Sequence, residues 1–149
     1  MEISDIDQEV SDFDWFAVGA DGYILHFASA GGVLPTSVAA SKEELALIAE
    51  HFNRLPETLQ ADKVQVIASI KQEKGVRYDS FLHYARRGLF SFDKTRLEAR
   101  LDTFYQLIAR PQHPLMLSDL PAEIAVILSK TRGHFSVAIM TKVDVSVIL

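Results

Sequence analysis

Cysteine is absent from the 149 residues, which excludes disulfide bridges, cysteine-based zinc or iron–sulfur ligation and thiol nucleophiles together. Proline and glycine are sparse, at 5 and 7 residues, and they form no linker or repeat. A chain of this length without a flexible divide is expected to fold around one core. Bases are outnumbered, 15 Lys and Arg against 20 Asp and Glu. Phosphate neutralisation normally demands a basic face, so no nucleic-acid partner is expected. Long apolar runs are also missing: none approaches the ~20 residues of a membrane helix. The chain opens on acids rather than on the basic, then apolar, pattern of a secretory signal. A soluble, cytoplasmic protein with no membrane partner is the expectation.

Several catalytic signatures are absent too. There is no G-x-S-x-G elbow, phosphate loop or dinucleotide fingerprint, and His26, His51, His83, His113 and His134 are scattered without zinc-type spacing. No metal and no cofactor are expected, and the imidazoles are read as surface or half-buried groups. Ser91-Phe92-Asp93-Lys94 matches S-x-x-K, but the companion S-D-N and K-T-G elements are missing, so the match is attributed to chance.

What is present is unevenly distributed. Residues 1–14 hold Glu2, Asp5, Asp7, Glu9, Asp12 and Asp14 and no base, whereas residues 71–110 carry nine Lys and Arg against five Asp and Glu. Residues 1–14 are therefore read as an acidic leader and 15–149 as a single domain. Ile3, Ile6, Val10 and Phe13 recur at spacings of three and four, which predicts one apolar face of a short helix. The leader either docks on the body and frays, or offers an acidic surface to a basic partner.

Trp15–Val18 and 23–28 are aromatic and β-branched, and Asp21-Gly22 between them supplies hairpin-turn chemistry. Residues 29–36 read as a loop. Ser41-Lys42-Glu43-Glu44 is a capping box opening a helix whose face is Leu45, Ile48, Phe52 and Leu55. Residues 57–74 alternate like a strand but also carry a helical stripe; helix is the reading adopted, with Gly75 as its cap. A third helix runs from Asp79 through Arg87, with Gly88 just beyond. Strands are expected over 89–92, with Asp93, Lys94 and Thr95 as the following turn, then over 104–109, 135–140 and 143–148. Pro121 opens a helix with Ile124, Ile127 and Leu128 inward. The sum is an α+β domain: a mostly antiparallel sheet of about five strands with three or four helices, covered on one side.

The stretch from His83 to Asp93 concentrates chemistry. Arg86 and Arg87 can fork onto carboxylates or phosphates; alternatively, one of them caps the helix and pairs with Asp93 or Asp79. Together with Asp-Trp-Phe-Ala-Val and Asp-Gly-Tyr-Ile near the start, Tyr84-Ala-Arg-Arg-Gly-Leu-Phe-Ser-Phe-Asp93 and the later Arg110-Pro, Pro114-Leu and Asp119-Leu-Pro121, it resembles a family of small bacterial proteins identified with the immunity proteins of polymorphic toxin systems. The resemblance implies a non-enzymatic cytoplasmic protein that binds and neutralises a toxin domain. Tyr84, Arg86, Arg87, Gly88 and Asp93 match the shared stretch. Candidate partner-binding residues are therefore Asp5, Asp7, Glu9, Tyr84, Arg86, Arg87 and Asp93. The alternative is a small hydrolase or ligand-binding enzyme with a pocket around His83, Arg86 and Asp93.

Overall fold

The hairpin at the start of the domain forms one edge of its sheet. In the computed structural model, which describes residues 1–57, 65–66 and 79–148, β1 (Asp14–Val18) pairs antiparallel with β2 (Ile24–Ala28), Phe16 opposite His26. Gly22 takes φ +85° in the turn, a conformation that side chains with a Cβ rarely adopt. β2 then pairs in parallel with β4 (Phe90–Lys94), placing Ala28 opposite Asp93. β4 pairs antiparallel with β5 (Phe104–Arg110) through a register shift at Ser91/Phe92. The far edge of β5 is shared end to end by β6 (Lys142–Asp144) and the two-residue β3 (Gln65–Val66), both antiparallel. The order β1-β2-β4-β5-β3, with β6 also on β5, makes a mixed but mostly antiparallel sheet in an α+β domain.

Alternation along the strands divides the core between two faces. Trp15, Ala17, Leu25, Phe27, Phe92 and Tyr105 point one way, with Trp15 stacked on Phe27 at 4.2 Å between ring centroids. Phe16, Val18, Ile24 and His26 point the other way. That second face packs against α3 (Lys42–Arg54), α4 (Asp79–Ala85) and α5 (Ala122–Leu128), which contribute Phe52, Tyr84 and Leu128. The first face is closed by Ile3, Leu34 and Val38, the last from the short α2 (Thr36–Ala39), and by Phe135, Val137 and Val145 from the C-terminal part. The sheet is thus covered on both sides rather than one, which is why every residue of β2 is buried.

Local signals act largely as read. The Ser41 hydroxyl accepts from the Glu44 amide at 3.1 Å. The Glu44 carboxylate, instead of closing the box, reaches Lys130 at 2.8 Å and joins α3 to the end of α5. Gly88, at φ +100°, follows α4, and Pro121 caps α5.

Four expectations are corrected. Asp93 and Lys94 continue β4 instead of turning, because each finds a ladder partner, Gln106 and Tyr105 respectively. Lys94, only 2% exposed, lays its stem in the sheet and donates Nζ to the carbonyls of Ala99 (2.6 Å) and Arg100 (3.3 Å). Residues 135–140 form turns, not a strand: Ile139 and Met140 both donate to the Ser136 carbonyl. Past Asp144 the chain tightens into a 3-10 turn over Val145–Val147, with the Asp144 side chain accepting from Ser146 N. The helix expected over 57–74 falls mostly outside the described residues, and at Gln65–Val66 strand pairing prevails. Among the described residues, no helix is long and apolar enough to cross a membrane.

Candidate functional site

A polar chain threads the second face of the sheet from the core to the surface. His26 has no exposed surface; its Nδ1 lies 2.8 Å from the Ser91 hydroxyl on β4 and its Nε2 lies 2.7 Å from Asp14 Oδ1 on β1. Burial pushes the imidazole below its ordinary value, against the opposing pull of Asp14. The neutral ring has one donor and one acceptor. An ionised Asp14 takes the Nε2–H, which leaves Nδ1 to accept from the Ser91 hydroxyl. The Tyr84 ring stacks on His26 at 3.9 Å and its hydroxyl donates to Asp14 Oδ2 at 3.4 Å. Burial beside that carboxylate pushes the phenol above its ordinary value. Asn53 on α3 continues the chain, its amide 3.5 Å from the Tyr84 hydroxyl and its oxygen 2.7 Å from His83 Nε2.

The residue types are those of a nucleophilic triad, but the arrangement is not. In such triads the serine approaches one ring nitrogen from a substrate cleft while a buried carboxylate holds the other. Here the serine is the buried member, with no exposed surface, and the carboxylate is the part-exposed one. Ser91 has no exposed surface from which a substrate carbonyl could approach its hydroxyl. The arrangement serves instead to satisfy a buried imidazole and to lock α4 onto the hairpin. This chain escaped sequence reading because Ser91 and His26 are 65 residues apart. The available signal was a histidine at a core position, between Leu25 and Phe27 of an alternating strand.

The residues singled out from sequence are dispersed. Tyr84 is buried in the relay. Arg87 donates Nε to the Leu55 carbonyl and Nη1 to the His83 carbonyl, both at 2.8 Å, with Glu57 at 3.9 Å. It therefore caps α4 and ties it to the end of α3, and its partners are not Asp93 or Asp79. Both Tyr84 and Arg87 are committed within the fold, whereas Arg86 is half-exposed just past α4. Asp93 lies on β4, where burial raises its carboxyl to about 6 even though the Lys94 amide donates to it. No hydrogen bond or ion pair among the described residues joins His83, Arg86 and Asp93.

The leader holds the remaining candidates. α1 (Asp5–Val10) is capped by Ser4, whose hydroxyl accepts from Asp7 N at 3.1 Å. The apolar face expected from Ile3, Ile6, Val10 and Phe13 does not form as a unit. Ile3 is buried and Phe13 half-buried, but Ile6 and Val10 are 72% and 73% exposed, and Gln8 turns inward in their stead. Its amide donates to the Ile3 carbonyl at 3.0 Å and accepts from Leu34 N at 2.9 Å. Backbone bonds from Ile3 N to Ala39 O and from Gly31 N to Ser11 O fasten both ends of the leader to 29–40. The leader's dock is thus this segment, and among the described residues the mid-chain basic stretch gives it two side-chain hydrogen bonds, Tyr84 to Asp14 and Arg100 Nη2 to the Asp5 carbonyl at 3.3 Å.

Outward, helical spacing sets Ile6 and Val10 in line, with Asp5 and Glu9 on one flank and Asp7 on the other. All five are exposed. No ion pair among the described residues engages Glu2, Asp5, Asp7 or Glu9. Comparison with known families, characterised proteins and solved structures gives no match. Among the described residues no cluster of three or more His, Asp or Glu could hold a metal ion.

Proposed function

We propose that the protein is a non-enzymatic cytoplasmic binding protein whose leader helix docks on a basic surface of a protein partner. The immunity-protein resemblance makes a toxin domain the partner class. The observation that supports this reading is the inverted leader helix. Its polar Gln8 is buried as the anchor while its apolar Ile6 and Val10 face outward between carboxylates. An apolar ridge rimmed by acids has the anatomy of a protein interface: a desolvated centre supplies affinity and a charged rim supplies orientation and rapid encounter. The concentrated negative field steers a basic partner and repels nucleic acid. Bound there, the protein would neutralise an enzyme by covering its cleft, with no chemistry of its own.

The test is co-expression with the product of the adjacent open reading frame, followed by size-exclusion chromatography of the mixture. A stable complex and relief of that product's toxicity are expected, and Ile6→Arg should abolish both while leaving the fold intact. Neither complex nor rescue, or a complex indifferent to Ile6→Arg, would overturn the reading.

A further inference from the structure

Beside the ridge, on the Asp5 flank, α1 and the 33–40 segment enclose an open groove of about 310 Å³. Its lining includes the apolar side chains of Ile3, Leu34 and Val33, of which Val33 remains 39% exposed, and the Thr36 hydroxyl. Glu2 and Asp5 stand at its side, exposed, and no Lys, Arg or His is among the residues that line it. We infer that this groove receives a lysine or arginine side chain of the protein partner, its stem on Ile3, Val33 and Leu34 and its cationic head between Glu2 and Asp5. The inference rests on the binding reading above and names the chemistry that the partner must present.

Three observations favour this occupant over others. Gln8, the buried polar side chain that lines the groove, has both ends of its amide engaged, by Ile3 O and Leu34 N. Apart from Thr36 and the two carboxylates, the lining left for a ligand is apolar, from Ile3, Val33, Leu34, Ala39 and Ala40, which suits methylenes. Both carboxylates lack an ion pair among the described residues. The neighbouring cation, Arg100, donates Nη2 to the Asp5 backbone carbonyl and forms no ion pair with its carboxylate among the described residues. Lys and Arg side chains divide in just this way, with an apolar stem and a charged tip. The groove is also preformed, since the bonds that pin α1 are the ones that shape its walls, so little ordering opposes binding.

The experiment is an NMR titration of the full chain, methyl-labelled at Ile, Leu and Val. The probes are Nα-acetyl-lysine methylamide and Nα-acetyl-arginine methylamide, and the uncharged control is Nα-acetyl-norleucine methylamide. Saturable shifts at Ile3, Val33 and Leu34 are expected with at least one cationic probe and not with norleucine, weakening as salt is raised. The double variant Glu2→Gln, Asp5→Asn should keep the wild-type unfolding midpoint and bind about fivefold more weakly, as the loss of two exposed ion pairs predicts. Absent shifts, equal shifts with norleucine, or shifts unchanged in the double variant would each overturn the inference. If Ile6→Arg abolishes the partner complex but the groove ignores both cationic probes, the inference alone falls. If a cationic probe binds but no neighbouring product does, the binding reading alone falls.

Discussion

The His26 imidazole, wholly buried in β2, stands 2.7 Å from the Asp14 carboxylate at the first position of β1. Because Phe16 is the residue opposite His26, Asp14 is its diagonal neighbour on the same face, within reach of a long side chain. The pair is therefore a product of hairpin register, and it leaves one carboxylate as sole acceptor for two groups, the His26 ring and the Tyr84 hydroxyl.

Asp14→Ala should accordingly destabilise the fold by about 1–3 kcal/mol, the range for a buried donor left without a partner. Asp14→Asn, whose amide oxygen still accepts from Nε2–H, should lose less. Urea unfolding followed by the fluorescence of Trp15, the single tryptophan and fully buried, measures both. Equal loss in the two variants would contradict the acceptor role.

The His26 contribution to stability should fall as pH drops from 7 towards 5. The folded His26 titrates below its ordinary 6.5, so the unfolded chain binds the proton first. The stabilisation is full above 6.5 and is lost as pH falls towards the folded value. Asp93 acts in the opposite sense. Its folded value of about 6 lies above the ordinary 3.8, so its ionisation opposes folding as pH rises between the two. Asp93→Asn should thus exceed wild type in stability above pH 6, the gap closing towards pH 4, and should lose stability more steeply on acidification. Thermal melts across pH 4–8 report both trends.

Gly88→Ala should destabilise by about 1–3 kcal/mol. The position needs φ +100°, and a Cβ there would stand 2.9 Å from both the backbone N and the Cβ of Leu115, against which Gly88 also pairs. A wild-type unfolding midpoint in this variant would show that the α4–β4 corner relaxes freely.

Gln8→Ala should leave the buried Leu34 N–H unpaired, at about 1–3 kcal/mol, and speed amide exchange across residues 1–12. Ile6→Ser with Val10→Ser should shift stability by no more than about 0.5 kcal/mol, as exposed positions do, while weakening the partner complex. Loss of stability in the double serine variant would mean that the two side chains are buried within the chain itself.

Much of the fold was legible because the relevant signals are short-range. Asp21-Gly22 specifies a hairpin turn by backbone conformation, Ser41 caps α3 across three residues, and Gly88 and Pro121 punctuate helices wherever they stand. The misreadings fall where burial decides. Asp93-Lys94 looks like a turn by composition, yet a ladder partner for each residue outweighs that preference. Phe135–Met140 has strand composition, but its residues close the first face from a turn. In the leader, the three-and-four spacing of apolar residues pointed to a buried stripe that Gln8 displaced, because the Leu34 amide and the Ile3 carbonyl both needed a partner there.

The candidate site divides along the same line. The acidity of residues 1–14, the lack of cysteine, the first hairpin and the helices that follow Ser41, begin at Asp79 and follow Pro121 were legible in the sequence alone, since composition and local propensity require no knowledge of distant residues. Which acids face outward, which histidine is buried and what holds it were decided only by tertiary structure. Sheet register brings Asp14, His26 and Ser91 together across 77 residues of chain, and docking on residues 29–40 selects the inner face of α1. Both depend on contacts between distant segments, which no pattern local to either segment encodes.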